Sequence, residues 1–181
     1  MEKFDDNTHY LYSLKTREAM HLYYGVKSKH GHNLENREQF IFETATSLAD
    51  FVKHFDFVVY PESSNSFIAE IINLLGLPSV QVSKNNMASI IEQIDSLKLQ
   101  KSEKASHLER IASMTDSFKI NAMKATQRRK YEHLLFQKTN VPEGVGLIID
   151  DSHFSGTTFR GLTHATGCLL YTCLSPRDQR G

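Results

Sequence analysis

Apolar positions recur along this chain with two periods, one helical and one extended. Phe40, Ile41, Ala45, Leu48, Ala49 and Val52 return at three- and four-residue spacing, which predicts a helix buried along one face. Asn36 followed by Gln39 has the form of a helix cap with its reciprocal partner. Phe55 to Tyr60 (F-D-F-V-V-Y) is a short apolar and aromatic run ended by Pro61, and it predicts the first core strand. Glu62, Ser63, Ser64, Asn65 and Ser66 suit a helix start. Phe67, Ile68, Ile71, Ile72 and Leu75 then mark a helix that stops at Gly76. A second strand, Ser79 to Ser83, follows Pro78. A strand, a helix and a strand in this order predict a right-handed parallel crossover.

Residues 86–138 show helical spacing only: Ile90, Ile91, Ile94 and Leu97, then Leu108, Ile111 and Ala112, then Ile120, Met123, Tyr131, Leu134 and Leu135. Three helices are expected there, inserted between strands. Pro142 and Gly144 break the chain before Val145, Leu147, Ile148 and Ile149, a β-branched run that predicts a strand buried on both faces. Polar residues follow from Asp150 to Thr158, with a helix expected from Phe159. After Gly167 the run Cys168 to Ser175 predicts a last strand. Residues 1–35 lack either period; they are polar, aromatic and rich in histidine, with Tyr10, Tyr12, Tyr23 and Tyr24 beside Lys15, Arg17, Lys27 and Lys29. The tyrosines suit ordinary packing and ring stacking equally.

Composition narrows the class. A chain of 181 residues fits one domain with a sizeable core, and acids and bases balance at 21 each, so no overall charge points to nucleic acid or membrane. The charge is uneven, however. Residues 98–138 hold ten Lys/Arg against four acids, a net +6, and the remainder carries −6. Such a run suits a solvated helical face or a nucleic-acid surface. Cys168 and Cys173 lie five apart in an expected strand, so they face opposite ways and make neither a disulfide nor a zinc ribbon. His30 and His32 form an H-x-H with no Cys or acid cluster beside it, which suits a solvated turn at Gly31 better than a metal site. The chain shows no leader and no apolar run of about 18 residues, so a cytoplasmic protein without a membrane partner is expected.

The candidate chemistry gathers in residues 144–158, G-V-G-L-I-I-D-D-S-H-F-S-G-T-T. Polar residues at a strand's carboxyl end and a helix's amino end stand where open α/β sheets bind ligands. Free N–H groups there suit a phosphate, Ser155, Thr157 and Thr158 add hydroxyl donors, and Gly156 lets the backbone close on an anion. The adjacent acids Asp150 and Asp151 would repel a phosphate unless a cation or sugar hydroxyls intervene. Carboxylates accept hydrogen bonds from vicinal hydroxyls. A phosphate-gripping loop next to diol-gripping acids describes a ribose 5-phosphate. The alternatives are a plain polar turn, or an acid pair of the receiver-domain kind holding Mg²⁺ alone. A Walker loop is excluded, because no lysine follows Gly156.

This order of apolar residues, paired acids and then S-G-T-T resembles the 5-phosphoribosyl-1-pyrophosphate (PRPP) motif of the type I phosphoribosyltransferases. The resemblance covers about residues 55–175 in order of elements and is sharp only over 145–158. It implies an α/β domain over 1–181 with a mostly parallel sheet flanked by helices, of the phosphoribosyltransferase type, and a helical basic insertion at 86–138. It further implies Mg²⁺-dependent transfer of phosphoribose from PRPP to a nucleophile, with pyrophosphate released. Asp150 and Asp151 would hold the ribose hydroxyls and the metal. Ser152, His153, Phe154, Ser155, Gly156, Thr157 and Thr158 would line the PRPP loop.

In this family the turn after the first strand holds pyrophosphate and a basic residue often closes the next strand, which here means Ser63, Ser64 and Lys84, with Lys84 in a catalytic role. Glu62 departs from the pattern and would oppose an anion. Purine-salvage members carry an aspartate base where this chain has Phe154, and a phenyl ring takes no proton; His153 is the replacement base on offer, with a suitable ordinary pKa. A hood over the acceptor would have to come from residues 1–35, since six residues follow the last strand. Residues 126–136, T-Q-R-R-K-Y-E-H-L-L-F, loosely resemble the arginine-rich helix of competence-associated members. The alternative is a catalytically silent module on the same fold that senses PRPP or a nucleotide, or binds nucleic acid through residues 98–138. The acceptor stays open, as does the choice between monomer and homodimer.

Overall fold

A computed structural model describes residues 2–5, 8–10, 16–27, 35–96, 100–112, 120, 125–151, 156–167 and 171–174. The elements run β1 (Glu2–Asp5), β2 (Thr8–Tyr10), α1 (Arg17–Val26), α2 (Arg37–Val52), β3 (Phe57–Pro61), α3 (Phe67–Leu75) and β4 (Ser79–Val82). They continue through α4 (Met87–Ser96), α5 (Lys101–Ala112), α6 (Ala125–Tyr131), a 3-10 turn at Glu132–Leu134, β5 (Gly146–Asp150), α7 (Thr157–Thr166) and β6 (Tyr171–Leu174). One sheet takes the order β1-β2-β6-β5-β3-β4. Among the described strands of this sheet, β1 and β2 pair antiparallel, and β2–β6, β6–β5, β5–β3 and β3–β4 are parallel. The chain is therefore α/β, with a mostly parallel sheet flanked by helices.

Period-two alternation divides the core between the sheet's faces. Val58, Leu147 and Ile149 pack with Val26, α2 and α3 on one side. Phe57, Val59 and Ile148 pack with Phe159, Leu162 and Ala165 of α7 on the other. Consecutive crossovers thus leave on opposite faces, α3 after β3 and α7 after β5. Because β4 lies on one side of β3 and β5 on the other, the strand order reverses between β3 and β5. All five residues of β5 are buried, as a strand between two parallel neighbours requires.

Two helix starts, those of α2 and α7, differ from what the sequence predicts. Asn36 occupies the cap position of α2 but makes no side-chain cap bond, and Gln39 donates to Glu43 at 2.8 Å instead. The Asn36 backbone (φ −106°, ψ 42°) lies outside the extended region that capping side chains need. At α3 the cap is Asn65, one of the residues the sequence offers for it: its Oδ1 accepts from Phe67 N at 3.2 Å, while Ser66 makes no side-chain cap bond. The last helix begins at Thr157 instead of Phe159. The amino-terminal segment, where the pattern assigned no element, supplies β1, β2 and α1; Thr16 caps α1 by accepting from Ala19 N at 3.1 Å.

The insertion is helical and has a core of its own, built from Ile90, Ile94, Ile111, Ile120, Tyr131 and Leu134. Its ends are stitched together. Lys84 and Phe136 form an antiparallel bridge, Asn85 N donates to Leu135 O at 2.9 Å, and Gln137 N donates to Ser83 O at 2.9 Å. Asn85 Nδ2 also reaches the carbonyls of Leu134 and Phe136, each at 3.0 Å. Among the described residues no helix is long and apolar enough to cross a membrane.

Candidate functional site

The strand order reverses between β3 and β5, and the carboxyl edge at such a reversal is the usual ligand position in open α/β sheets. Asp150 is the last residue of β5, and the turn 62–66 follows β3, so adjacent strands deliver both. Lys84 follows β4, one strand further on and about 10 Å from the acids by strand spacing.

Sequence adjacency does not make the two acids equivalent. Asp150 is 8% exposed, and the Thr158 hydroxyl of α7 hydrogen-bonds it. Asp151 instead meets α1: Tyr23 Oη donates to its Oδ1 at 3.4 Å, and Lys27 Nζ pairs with its Oδ2. Strand alternation sends neighbouring side chains to opposite faces, and α7 and α1 cover opposite faces. The acids are also linked locally, since Asp151 N–H donates to Asp150 Oδ1 at 2.8 Å. Burial pushes the Asp150 carboxyl up to about 7, and the neighbouring charge of Asp151 adds to this. The Asp151 N–H, the Lys27 ammonium and the Thr158 hydroxyl act in the opposite direction.

The helix that follows starts from Gly156 with φ 66°, in the left-handed region where a Cβ is disfavoured. Thr157 is buried and Thr158 half-buried in the first turn of α7. Ser152, His153, Phe154 and Ser155 lie outside the described residues, as do His30, His32 and Cys168. In the turn after β3, Ser63 Oγ accepts from Asn65 Nδ2 at 3.0 Å and Ser64 is exposed. Glu62, the residue at odds with an anion there, turns its carboxylate to the backbone N–H of Lys84 at 3.2 Å. Lys84 is itself exposed.

Residues far from the motif hold this edge in place. Arg37 donates to both carboxylate oxygens of Glu70 on α3, at 2.7 and 2.8 Å. It also donates to Val26 O at 3.0 Å, tying the end of α1 to the start of α3. The paired hydrogen bonds raise the Arg37 guanidinium above its ordinary pKa and hold Glu70 below the usual carboxylate range. Arg160 of α7 donates to Glu132 at 2.7 Å, and Glu132 is buried. None of these roles shows in the motif. The i, i+4 spacing of Tyr23 and Lys27 would place them on one helical face, but nothing local connects that face to Asp151.

Comparison of the chain with protein-family models, with curated proteins and with solved structures found no match.

Proposed function

We propose that this chain binds a phosphorylated ribose at the carboxyl edge of its sheet, as type I phosphoribosyltransferases do. Its reaction would be Mg²⁺-dependent transfer of phosphoribose from PRPP to a nucleophile. The observation that carries this reading is the run from a fully buried β5 into Asp150 and Asp151, then Gly156 in the left-handed region and the amino end of α7, all beside the reversal of strand order. Carboxylates there accept from a sugar diol. The N–H groups and positive end of α7 favour a phosphate.

In this reading Asp150 and Asp151 receive the ribose hydroxyls, and Ser155, Gly156, Thr157 and Thr158 receive the 5-phosphate. Ser63, Ser64 and Lys84 face the pyrophosphate. During transfer the bond from C1 to the pyrophosphate oxygen breaks, its electron pair leaves with the oxygen, and the nucleophile's lone pair closes on C1. The acids steady the positive charge that develops on the sugar, and Lys84 steadies the leaving group. Asp150 and Asp151 are the residues that would hold Mg²⁺. Each carboxylate is a hard oxygen donor of the kind this ion takes, and because Lys27 already pairs with Asp151, the ion would have to take that place from it. When bound, it would draw negative charge off the pyrophosphate.

One observation favours the second reading, a silent module that senses PRPP or a nucleotide: Asp151 already carries Lys27 and Tyr23. Calorimetric titration with Mg–PRPP tests the shared part of both readings. Asp151→Asn should weaken binding by about 1.5–3 kcal/mol, the scale of a lost charge-assisted hydrogen bond. Equal affinity in wild type and variant would remove Asp151 from the site. Pyrophosphate release with candidate acceptors then separates enzyme from sensor.

A further inference from the structure

Both oxygens of Asp151 are engaged by groups from a helix 124 and more residues away in sequence, Lys27 Nζ at Oδ2 and Tyr23 Oη at Oδ1. The same ammonium donates to Tyr23 Oη at 2.7 Å and lies 4.3 Å from the ring centroid, so charge and ring quadrupole both hold it. The Lys27 and Asp151 side chains are only 6% and 13% exposed. A pair so shielded from water is screened less than a surface ion pair. A positive charge on a carboxylate takes the place that a divalent cation or a donating hydroxyl would need, and it repels any second cation brought to the same group.

We infer that Lys27 is the chain's own occupant of the acid site, held there by Tyr23, and that a divalent cation or a diol must displace it from Asp151 in order to bind. The inference rests on the reading of Asp150 and Asp151 as ligand-binding acids. Displacement is local. Arg37 grips Val26 O and is itself clamped on Glu70, so the end of α1 stays in place while the flexible lysine stem swings aside. Ligands then bind only to the fraction of molecules in which Lys27 has left, and apparent affinity falls by that fraction. Helix α1 thereby sets the ligand concentration at which the site fills.

Mn²⁺ alone, with the free ion counted by electron paramagnetic resonance, tests this on the whole chain. Lys27→Met removes the charge and keeps the apolar stem; Tyr23→Phe keeps every charge and removes the hydroxyl that holds both partners. Lys27→Met should bind Mn²⁺ about tenfold tighter than wild type, with Tyr23→Phe between the two. A second readout uses wild type only. Acetylation of Lys27, followed by mass spectrometry, should be slower than that of Lys53, which is 70% exposed, and should accelerate when Mn²⁺ saturates the protein, while Lys53 stays unchanged. Equal Mn²⁺ affinity in the three proteins, or a Lys27 that stays protected at saturating Mn²⁺, overturns the inference. If Lys27→Met does not fold, Tyr23→Phe and the acetylation rates decide. Tighter Mn²⁺ binding without any binding of PRPP would sink the phosphoribose reading and leave the role of Lys27 standing. PRPP binding that depends on Asp151 but not on Lys27 or Tyr23 would do the reverse.

Discussion

In the unfolded chain Asp150 titrates near the ordinary carboxylate value of about 4. In the folded protein burial, with the charge of Asp151 added, lifts it to about 7. Between those values the native state holds a proton that the unfolded state has lost, so the stability linked to this group falls as pH rises through that window. Wild type should therefore lose more stability between pH 5 and pH 8 than Asp150→Asn, read as urea midpoints at each pH. Parallel pH profiles would mean that Asp150 is ionised throughout. That two acids stand at the end of a buried strand was legible from composition and order alone. That Thr158 serves one and Lys27 the other was not, because both partners reach the acids through the packing of α7 and α1.

Helix α7 links the candidate phosphate turn to the insertion, and Gly161 decides how closely it sits. A Cβ there would lie 3.0 Å from Glu132 O and 3.0 Å from the Phe136 ring. Alanine is the better helix former by about 1 kcal/mol. Here the close neighbours are a backbone carbonyl and a buried ring, neither free to retreat, and overpacking costs about 1–3 kcal/mol. Gly161→Ala should therefore destabilise the protein, or at best leave it level, and it should loosen the Arg160–Glu132 pair. A raised Tm would show that the segment 132–136 yields easily. The elements with a clear period were legible, among them α3, which runs from Phe67 to Leu75 and ends at Gly76 with φ 68°. β1 and β2 were not. Segments as short and polar as E-K-F-D and T-H-Y carry no apolar alternation, and they become strands by pairing with one another and with β6.

For the molecule as a whole, the question is what the positive charge of residues 98–138 is for. The insertion buries a small core of its own and closes at the stitch between 83–85 and 134–137; of its basic residues, Lys104 pairs with Asp95 and Lys138 donates to the His164 carbonyl. Arg129 and Lys130 are exposed on α6, and Arg128 is half-buried. If this arm binds nucleic acid, affinity should fall by about 0.7–0.9 log units per log unit of salt for each phosphate contacted. Replacing Arg128, Arg129 and Lys130 with Gln should then flatten the slope and leave PRPP binding alone. If the arm serves catalysis, DNA and RNA should bind weakly, and the same triple variant should slow pyrophosphate release at saturating PRPP. Filter binding at two salt concentrations, with a pyrophosphate assay beside it, distinguishes the two.

The local pattern of residues determined that a buried strand runs into paired acids, that a β-α-β unit precedes it and that helices fill the gap between. These follow from short-range causes: side-chain period, cap chemistry and the backbone freedom of glycine. Tertiary structure decided the rest. It placed β5 beside β3, so that the turn 62–66 and the acids share one edge. It brought Lys27 to Asp151 and Arg37 to both Val26 and Glu70. Strand order and the seating of α1 are choices among distant surfaces that bury similar apolar faces, and no window of neighbouring residues contains the energy that separates them.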